Sequence, residues 1–274
     1  MVNDPMINGL VFAAGLGTRL KPLTDTMPKA LVPLAGKTLL QWQVERLRGA
    51  GITNIVVNVH HFPDLIIDTI RANNGWGCHI TVSDERDCLL DTGGGLRKAW
   101  REGLFGKDEP VLACNVDILS NIDLRALIKA YRSSTLPSDG KSTGVSQLVV
   151  SERRTQRYLL FDEKDTLCGW TNIATGEMIP SSLKSLITNA PSSIATDPSP
   201  VTPLAFSGMQ ILSPEVLKRL DEVEEEKFSM IPFYLRIMDS EPLHAFVPAN
   251  YRMMDVGKID QITAAESFAE SLLA

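Results

Sequence analysis

The chain has 274 residues, 44% of them hydrophobic and 22% charged, with mean hydropathy near zero, which suits one large α/β domain or two small ones. Its 27 Lys and Arg against 33 Asp and Glu leave a net charge of −6, the wrong sign for a general nucleic-acid binder. The four cysteines form no CxxC pair, the N-terminus lacks the pattern of a signal peptide, and no apolar run reaches membrane-spanning length; structural disulfides, zinc and a membrane partner are therefore not expected, and a reducing cytoplasm is.

The first half alternates strand and helix signals. Ile7 to Ala13 is an apolar run ending in glycine, read as a buried strand. Leu39 to Gly49 puts Leu40, Val44 and Leu47 on one helical face, with Gly51 as a stop. A β-branched strand follows at Ile52–Val59, then a helix opened by Pro63 and running to Ala72. A strand at His79–Val82, a helix at Gly94–Gly103, a strand at Val111–Val116 and a helix at Asp123–Arg132 complete the series. This order predicts an α/β fold: a Rossmann-like, mostly parallel sheet flanked by helices.

The second half is less regular. YLLFDEKDTLCGW predicts a hairpin, and the Ser, Thr and Pro content of Pro180 to Pro203 predicts a long surface insertion. LAFSGMQIL reads as a strand, PEVLKRLDEV and SMIPFYLRIM as helices, LHAFVPA and YRMMDVG as strands, and a helix closes the chain from Lys258. No internal repeat is present, so residues 1–274 are expected to form one domain carrying an insertion at about 180–203.

The loop after the first strand carries the strongest chemical signal. Gly15 and Gly17 start a dinucleotide fingerprint, but its third glycine position is Leu20; Gly36-Lys37-Thr38 ends a Walker-type loop whose first glycine position is Leu31. What remains is a polar loop with Arg19, Lys21, Lys29 and Lys37 against the single acid Asp25. Glycine-freed N–H groups and cations together suit a phosphate.

Between Gly15 and Pro33 every fixed position of GxGTRLxPLTxxxPKxLxP is met. This segment closely resembles the opening signature of the sugar-1-phosphate nucleotidyltransferases (nucleoside diphosphate sugar pyrophosphorylases). LLDTGGGLRKA, VLACNVDIL, LAFSGMQIL and YRMMDVGKIDQI follow in that family's order. The resemblance implies a single-domain fold of the GT-A-like type. It implies an enzyme in which a sugar-1-phosphate oxygen attacks the α-phosphorus of a nucleoside triphosphate and pyrophosphate leaves. Such transfer rests on positioning and charge neutralisation.

Residue by residue, the resemblance implies that Arg19 and Lys29 are catalytic, Arg19 on the triphosphate and Lys29 on the phosphate between the substrates. It places the nucleotide on Ala14, Gly15, Gly17, Thr18, Glu85, Thr92 and Gly93, and the sugar on Asn115, Ser207 and Gly208. Asp117 ends a predicted strand, where an Asp also serves as a turn former. The family's late aspartate, Asp255, makes it one of two magnesium ligands. Relatives often read Asn-Gly-Asp or Gly-Asp where this chain has Asn115-Val116-Asp117, so Val116 is expected to alter the backbone near the metal. Glycines at 93–95 permit a flat base to approach a helix start with free N–H groups. Lys21 and Lys37 are read as electrostatic background, and the four histidines receive no role.

The Asp-Thr-Gly-Gly-Gly run is most similar to N-acetylmuramate-1-phosphate uridylyltransferases, whose product serves the cell wall. Short mannose-1-phosphate guanylyltransferase-like proteins share much of the pattern, so sugar and base stay open. The expected partners are small-molecule substrates, a nucleoside triphosphate and a sugar-1-phosphate, with Mg2+ as cofactor; homo-oligomerisation is left open. Two rival readings are a non-catalytic nucleotide-sugar sensor and a cytidylyltransferase acting on a non-sugar alcohol phosphate. The insertion is expected to line or cover the sugar pocket.

Overall fold

The structure is a computed structural model that describes residues 6–134, 144–185 and 201–273. β1 (Asn8–Phe12) is wholly buried, and its side chains alternate between two cores. After it, three short 3-10 turns lead into a small hairpin, β2 (Pro33–Leu34) and β3 (Lys37–Thr38). The Thr38 hydroxyl then accepts the Gln41 N–H at 3.1 Å and caps α1 (Leu39–Gly49). β4 (Asn54–Val59), α2 (Pro63–Ala72) and β5 (His79–Asp84) follow as expected, Pro63 opening α2. The next helix, α3 (Asp91–Arg101), starts and ends earlier than its sequence pattern suggested, so the whole glycine run lies inside it.

β6 (Val111–Asn115) leads to a short β7 (Ile118–Ser120) that the sequence reading missed, and Asp123 caps α4 (Leu124–Ser133). β8 (Ser146–Ser151) was likewise missed; its polar ends hide a buried strand. β9 (Arg157–Phe161) and β10 (Leu167–Asn172) form the predicted hairpin, extended by β11 (Glu177–Ile179). The expected insertion therefore begins beside a strand and a 3-10 turn at Ser181–Ser185, while residues 186–200 lie outside the described ones. β12 (Thr202–Leu212), α5 (Pro214–Arg219), α6 (Met230–Ile237), β13 (Leu243–Phe246), β14 (Met253–Asp255) and α7 (Ile262–Ser271) complete the chain. After Arg219 the predicted PEVLKRLDEV helix tightens into a 3-10 turn at Leu220–Glu222.

The central sheet runs β11-β10-β9-β12-β6-β1-β4-β5, with β8 on β12 and β13 on β8. β6, β1, β4 and β5 are parallel, and β12 runs antiparallel to β6. One face packs Val11, Ile55 and Val57 against Leu40, Val44 and Leu47 of α1; the other packs Leu10, Phe12 and Val56 against Leu96 and Trp100 of α3. Each such aliphatic side chain contributes about 1.5–3 kcal/mol on burial. The chain proceeds from β1 to β4 and β5 on one side, then returns to place β6 on the other. The carboxyl ends of β1 and β6 thus flank the point where strand order reverses, which is where open α/β sheets hold ligands.

Candidate active site

The loop leaving β1 begins at that switch point. Ala14 is buried, whereas Gly15, Thr18 and Arg19 are exposed. Thr24 folds back, its hydroxyl donating to the Gly17 carbonyl at 2.9 Å. Lys29 lies on the 3-10 turn Lys29–Leu31, is 8% exposed, and forms an ion pair with Asp117 at the end of β6. Lys21 and Lys37 instead pair with Asp25 at 2.9 Å and Glu45 at 2.7 Å, so the three loop lysines have three distinct partners.

Asp117 sits in a braced turn. The Val116 N–H donates to the Phe12 carbonyl at 3.1 Å, and the fully buried Gln43 of α1 donates to the carbonyls of Val116 (3.3 Å) and Ile118 (2.8 Å). Val116 itself is buried, so the departure at this position is absorbed by packing. YRMMDVG does form a strand, but one outside the main sheet. β14 pairs antiparallel with β7, setting Asp255 opposite Ile118, and the Val256 N–H donates to the Asp117 carbonyl at 2.9 Å. Two aspartates 138 positions apart in sequence are thereby held together.

The electrostatics follow. The Asp255 carboxyl stays exposed, yet it is pushed above the usual carboxylate range, first by partial desolvation and then by Asp117, against the pull of Lys29, Arg19 and Arg153. A Cβ added to Gly257 would lie 2.8 Å from Asp255 Oδ1 and 3.1 Å from Arg19 Nη2, which brings the loop arginine to this aspartate as well. Two crowded carboxylates call for a cation. Asp117 and Asp255 suit a divalent ion that completes its shell with phosphate oxygens and water. Arg153, just after β8, was missed because nothing in SERRTQR marks it; its guanidinium donates to the Phe206 carbonyl at 2.9 Å.

Asn115, Ser207 and Gly208 also meet. The register of β12 on β8 shifts between Phe206 and Gln210, and within that irregularity Gly208 takes a positive φ of 68°. A Cβ there would come within 2.8 Å of Asn115 Nδ2. The Ser207 hydroxyl is buried with no hydrogen-bond partner among the described residues.

Two of the expected nucleotide contacts already have partners within the protein. Glu85 points inward: it is 2% exposed and accepts from Asn58 Nδ2 at 2.7 Å and from the Leu90 N–H at 3.2 Å. Burial still pushes its carboxyl up against these bonds, and its place in the interior does not suit direct contact with a base. The start of α3 is not a set of free donors either. The Gly93 and Gly94 N–H groups donate to the Phe228 carbonyl at 2.9 and 3.1 Å, and the Thr92 hydroxyl accepts the Met230 N–H at 3.1 Å. Cβ atoms at 93, 94 and 95 would collide with Phe228, the Glu226 carbonyl and Glu85, so these glycines serve the protein's own packing. Asp91, at φ 62°, stands at the exposed lip of this segment.

A doubly flanked sheet with cations and carboxylates gathered at its switch point defines a phosphate-handling α/β protein. A family profile described as nucleotidyl transferase matches residues 8–158, more than half of the chain, and the chain belongs to that family. An N-acetylmuramate alpha-1-phosphate uridylyltransferase of Caulobacter vibrioides is 46% identical over 110 residues, covering 39% of this chain and 44% of that protein. A mannose-1-phosphate guanyltransferase of Kluyveromyces lactis is 28% identical over 258 residues, 92% of this chain and 62% of the relative. The chain thus spans about half the length of the first of these relatives. Among solved structures, HddC of Yersinia pseudotuberculosis complexed with GMP-PN superposes with a TM-score of 0.67 at 23% identity, over 96% of this chain and 100% of the other, a likeness of fold.

Proposed function

We propose that the protein transfers a nucleoside monophosphate from a nucleoside triphosphate to a sugar-1-phosphate, releasing pyrophosphate. The observation that carries this reading is the convergence of Arg19, Lys29, Asp117 and Asp255 at the carboxyl ends of β1 and β6. A sugar-phosphate oxygen forms a bond to the α-phosphorus while the bond from that phosphorus to the β-phosphate oxygen breaks. The attacking oxygen is already anionic, so no strong base is needed. Lys29 offers its ammonium to the phosphates between the substrates, and Arg19 follows negative charge onto the departing pyrophosphate. Asp117 and Asp255 would hold Mg2+, which supplies further charge neutralisation when bound. Asn115, Ser207 and Gly208 line the sugar side.

The substrate pair we favour is N-acetylmuramate-1-phosphate with UTP, supported by the 46% identical uridylyltransferase. Mannose-1-phosphate with GTP is the second reading, supported by the similarity to a guanyltransferase over 92% of the chain. Pyrophosphate release, measured with magnesium across a matrix of triphosphates and sugar-1-phosphates, decides between them; silence from every pair would favour a sensor. Asp117→Asn and Asp255→Asn should each lower kcat by about 10³-fold, as expected for losing several kcal/mol of metal-borne stabilisation. Near-normal turnover in either variant refutes the metal assignment.

A further inference from the structure

At the carboxyl end of the parallel strands, a buried polar chain ties the loop after β1 to the loop after β5 through the end of β4. Asn58 sits near the end of β4, 2% exposed. Its Oδ1 accepts the Ala13 N–H at 2.7 Å, at the root of the glycine loop. Its Nδ2 donates to Glu85 Oε1 at 2.7 Å, and Glu85 Oε2 accepts the Leu90 N–H at 3.2 Å, one residue before α3. His60 Nδ1 donates to the Glu85 carbonyl at 2.7 Å, and His61 Nε2 reaches the Thr24 carbonyl at 3.4 Å on the far side of the glycine loop. Gly95 of α3 packs directly over the pair, a Cβ there falling 2.6 Å from Glu85 Oε1 and 2.8 Å from Asn58 Nδ2.

A buried carboxylate bonded only to an amide and a backbone N–H is a costly way to fill a core, since well-packed apolar side chains stabilise as much or more. What such a chain supplies is geometry. Each hydrogen bond has one length and direction, so Ala13 and Leu90, which follow different strands, are held at one separation. We propose that Asn58 and Glu85 are positioning residues that lock the glycine loop after β1 to the loop before α3, setting the separation of the two loops between which a bound nucleotide lies. This rests on the nucleotidyltransferase reading above. Glu85 accordingly acts on the nucleotide through Leu90 and Ala13, without touching it.

Reciprocal exchange tests the inference. Glu85→Gln leaves one acceptor for two donors, so an N–H faces an N–H. Asn58→Asp sets two carboxylates against each other. In the double variant the position-58 carboxylate accepts from Ala13 N–H and from the position-85 amide, whose oxygen accepts from Leu90 N–H; every bond returns at unchanged net charge. Each single variant should raise KM for the triphosphate and relax discrimination between UTP and GTP by about 10-fold, with KM for the sugar-1-phosphate within about two-fold. The double variant should recover both to within about three-fold.

Unchanged triphosphate KM in the single variants overturns the proposal, as does loss that spreads equally to the sugar-1-phosphate in step with thermal unfolding. If a single variant does not fold, the double decides alone: native discrimination supports the relay, whereas relaxed discrimination or an insoluble protein overturns it. Equilibrium binding of UTP and GTP with magnesium is read on the same proteins. Wild-type protein that binds but never releases pyrophosphate refutes the transferase reading, and the binding pattern of the variants still judges the relay.

Discussion

Arg97→Met isolates how the segment after α5 is fastened to the start of α3. Arg97 is 5% exposed; its Nη1 donates to the Val223 carbonyl at 2.5 Å and its Nη2 to the carbonyls of Glu225 and Glu226 at 2.7 and 3.0 Å. The guanidinium also lies 4.9 Å from the centre of the Phe228 ring, and the Phe228 carbonyl holds Gly93 and Gly94. Methionine keeps much of the aliphatic stem and removes the donors. The bond to Val223 is fully buried and its loss costs about 2–3 kcal/mol, while the two half-buried carbonyls are rehydrated at about 0.5–1 kcal/mol each. Loss of the cation–π contact adds about 0.5–1 kcal/mol. Against this, burial already disfavours the charged guanidinium and draws its pKa down, so the variant recovers part of that loss. The net is a destabilisation of about 3 kcal/mol, which for a chain of this size lowers Tm by about 6–12 °C. Urea and thermal unfolding measure it, and triphosphate KM at a temperature well below both transitions reports the freed segment. A loss under about 1 kcal/mol with unaltered KM would refute the reasoning.

Two more outcomes follow from single positions. Gly208→Ala forces an L-residue to φ 68° and drives its methyl toward Asn115 Nδ2 and Cγ, at 2.8 and 3.1 Å; stability should fall by about 1–3 kcal/mol, with KM for the sugar-1-phosphate rising more than that for the triphosphate. Equal effects on both substrates would remove Gly208 from the sugar side. Of the four free thiols, exposed Cys88 should react first with Ellman's reagent at pH 8, and Cys114, fully buried with its thiol pushed up to about 11, only on unfolding. A fast phase that survives Cys88→Ser would contradict this.

Local signals sufficed for most of the architecture. The limits of α1 and α2 follow from apolar spacing and end residues, and the strand-helix order alone implies a parallel sheet with its ligand edge at the carboxyl ends. Short or polar-ended strands were missed: β2, β3, β7 and β11 are two or three residues long and β8 carries serine at both ends, so none shows a period. Glycine turns and cations, being local, marked the loop after β1 as a phosphate site, and only the resemblance of its motif to a family signature singled out Arg19 and Lys29 among the four loop cations. The pairing of Asp255 with Asp117 was implied only by the family resemblance, because physically it depends on β14 choosing β7 over the main sheet. Tertiary structure alone decided that the glycines of α3 receive Phe228, a segment about 135 positions away, and that Glu85 turns inward to Asn58. A sequence shows which groups can donate, accept or carry charge. Which partner each one finds is fixed by packing between distant segments, where a buried polar group must be satisfied by whatever the fold brings within 3 Å.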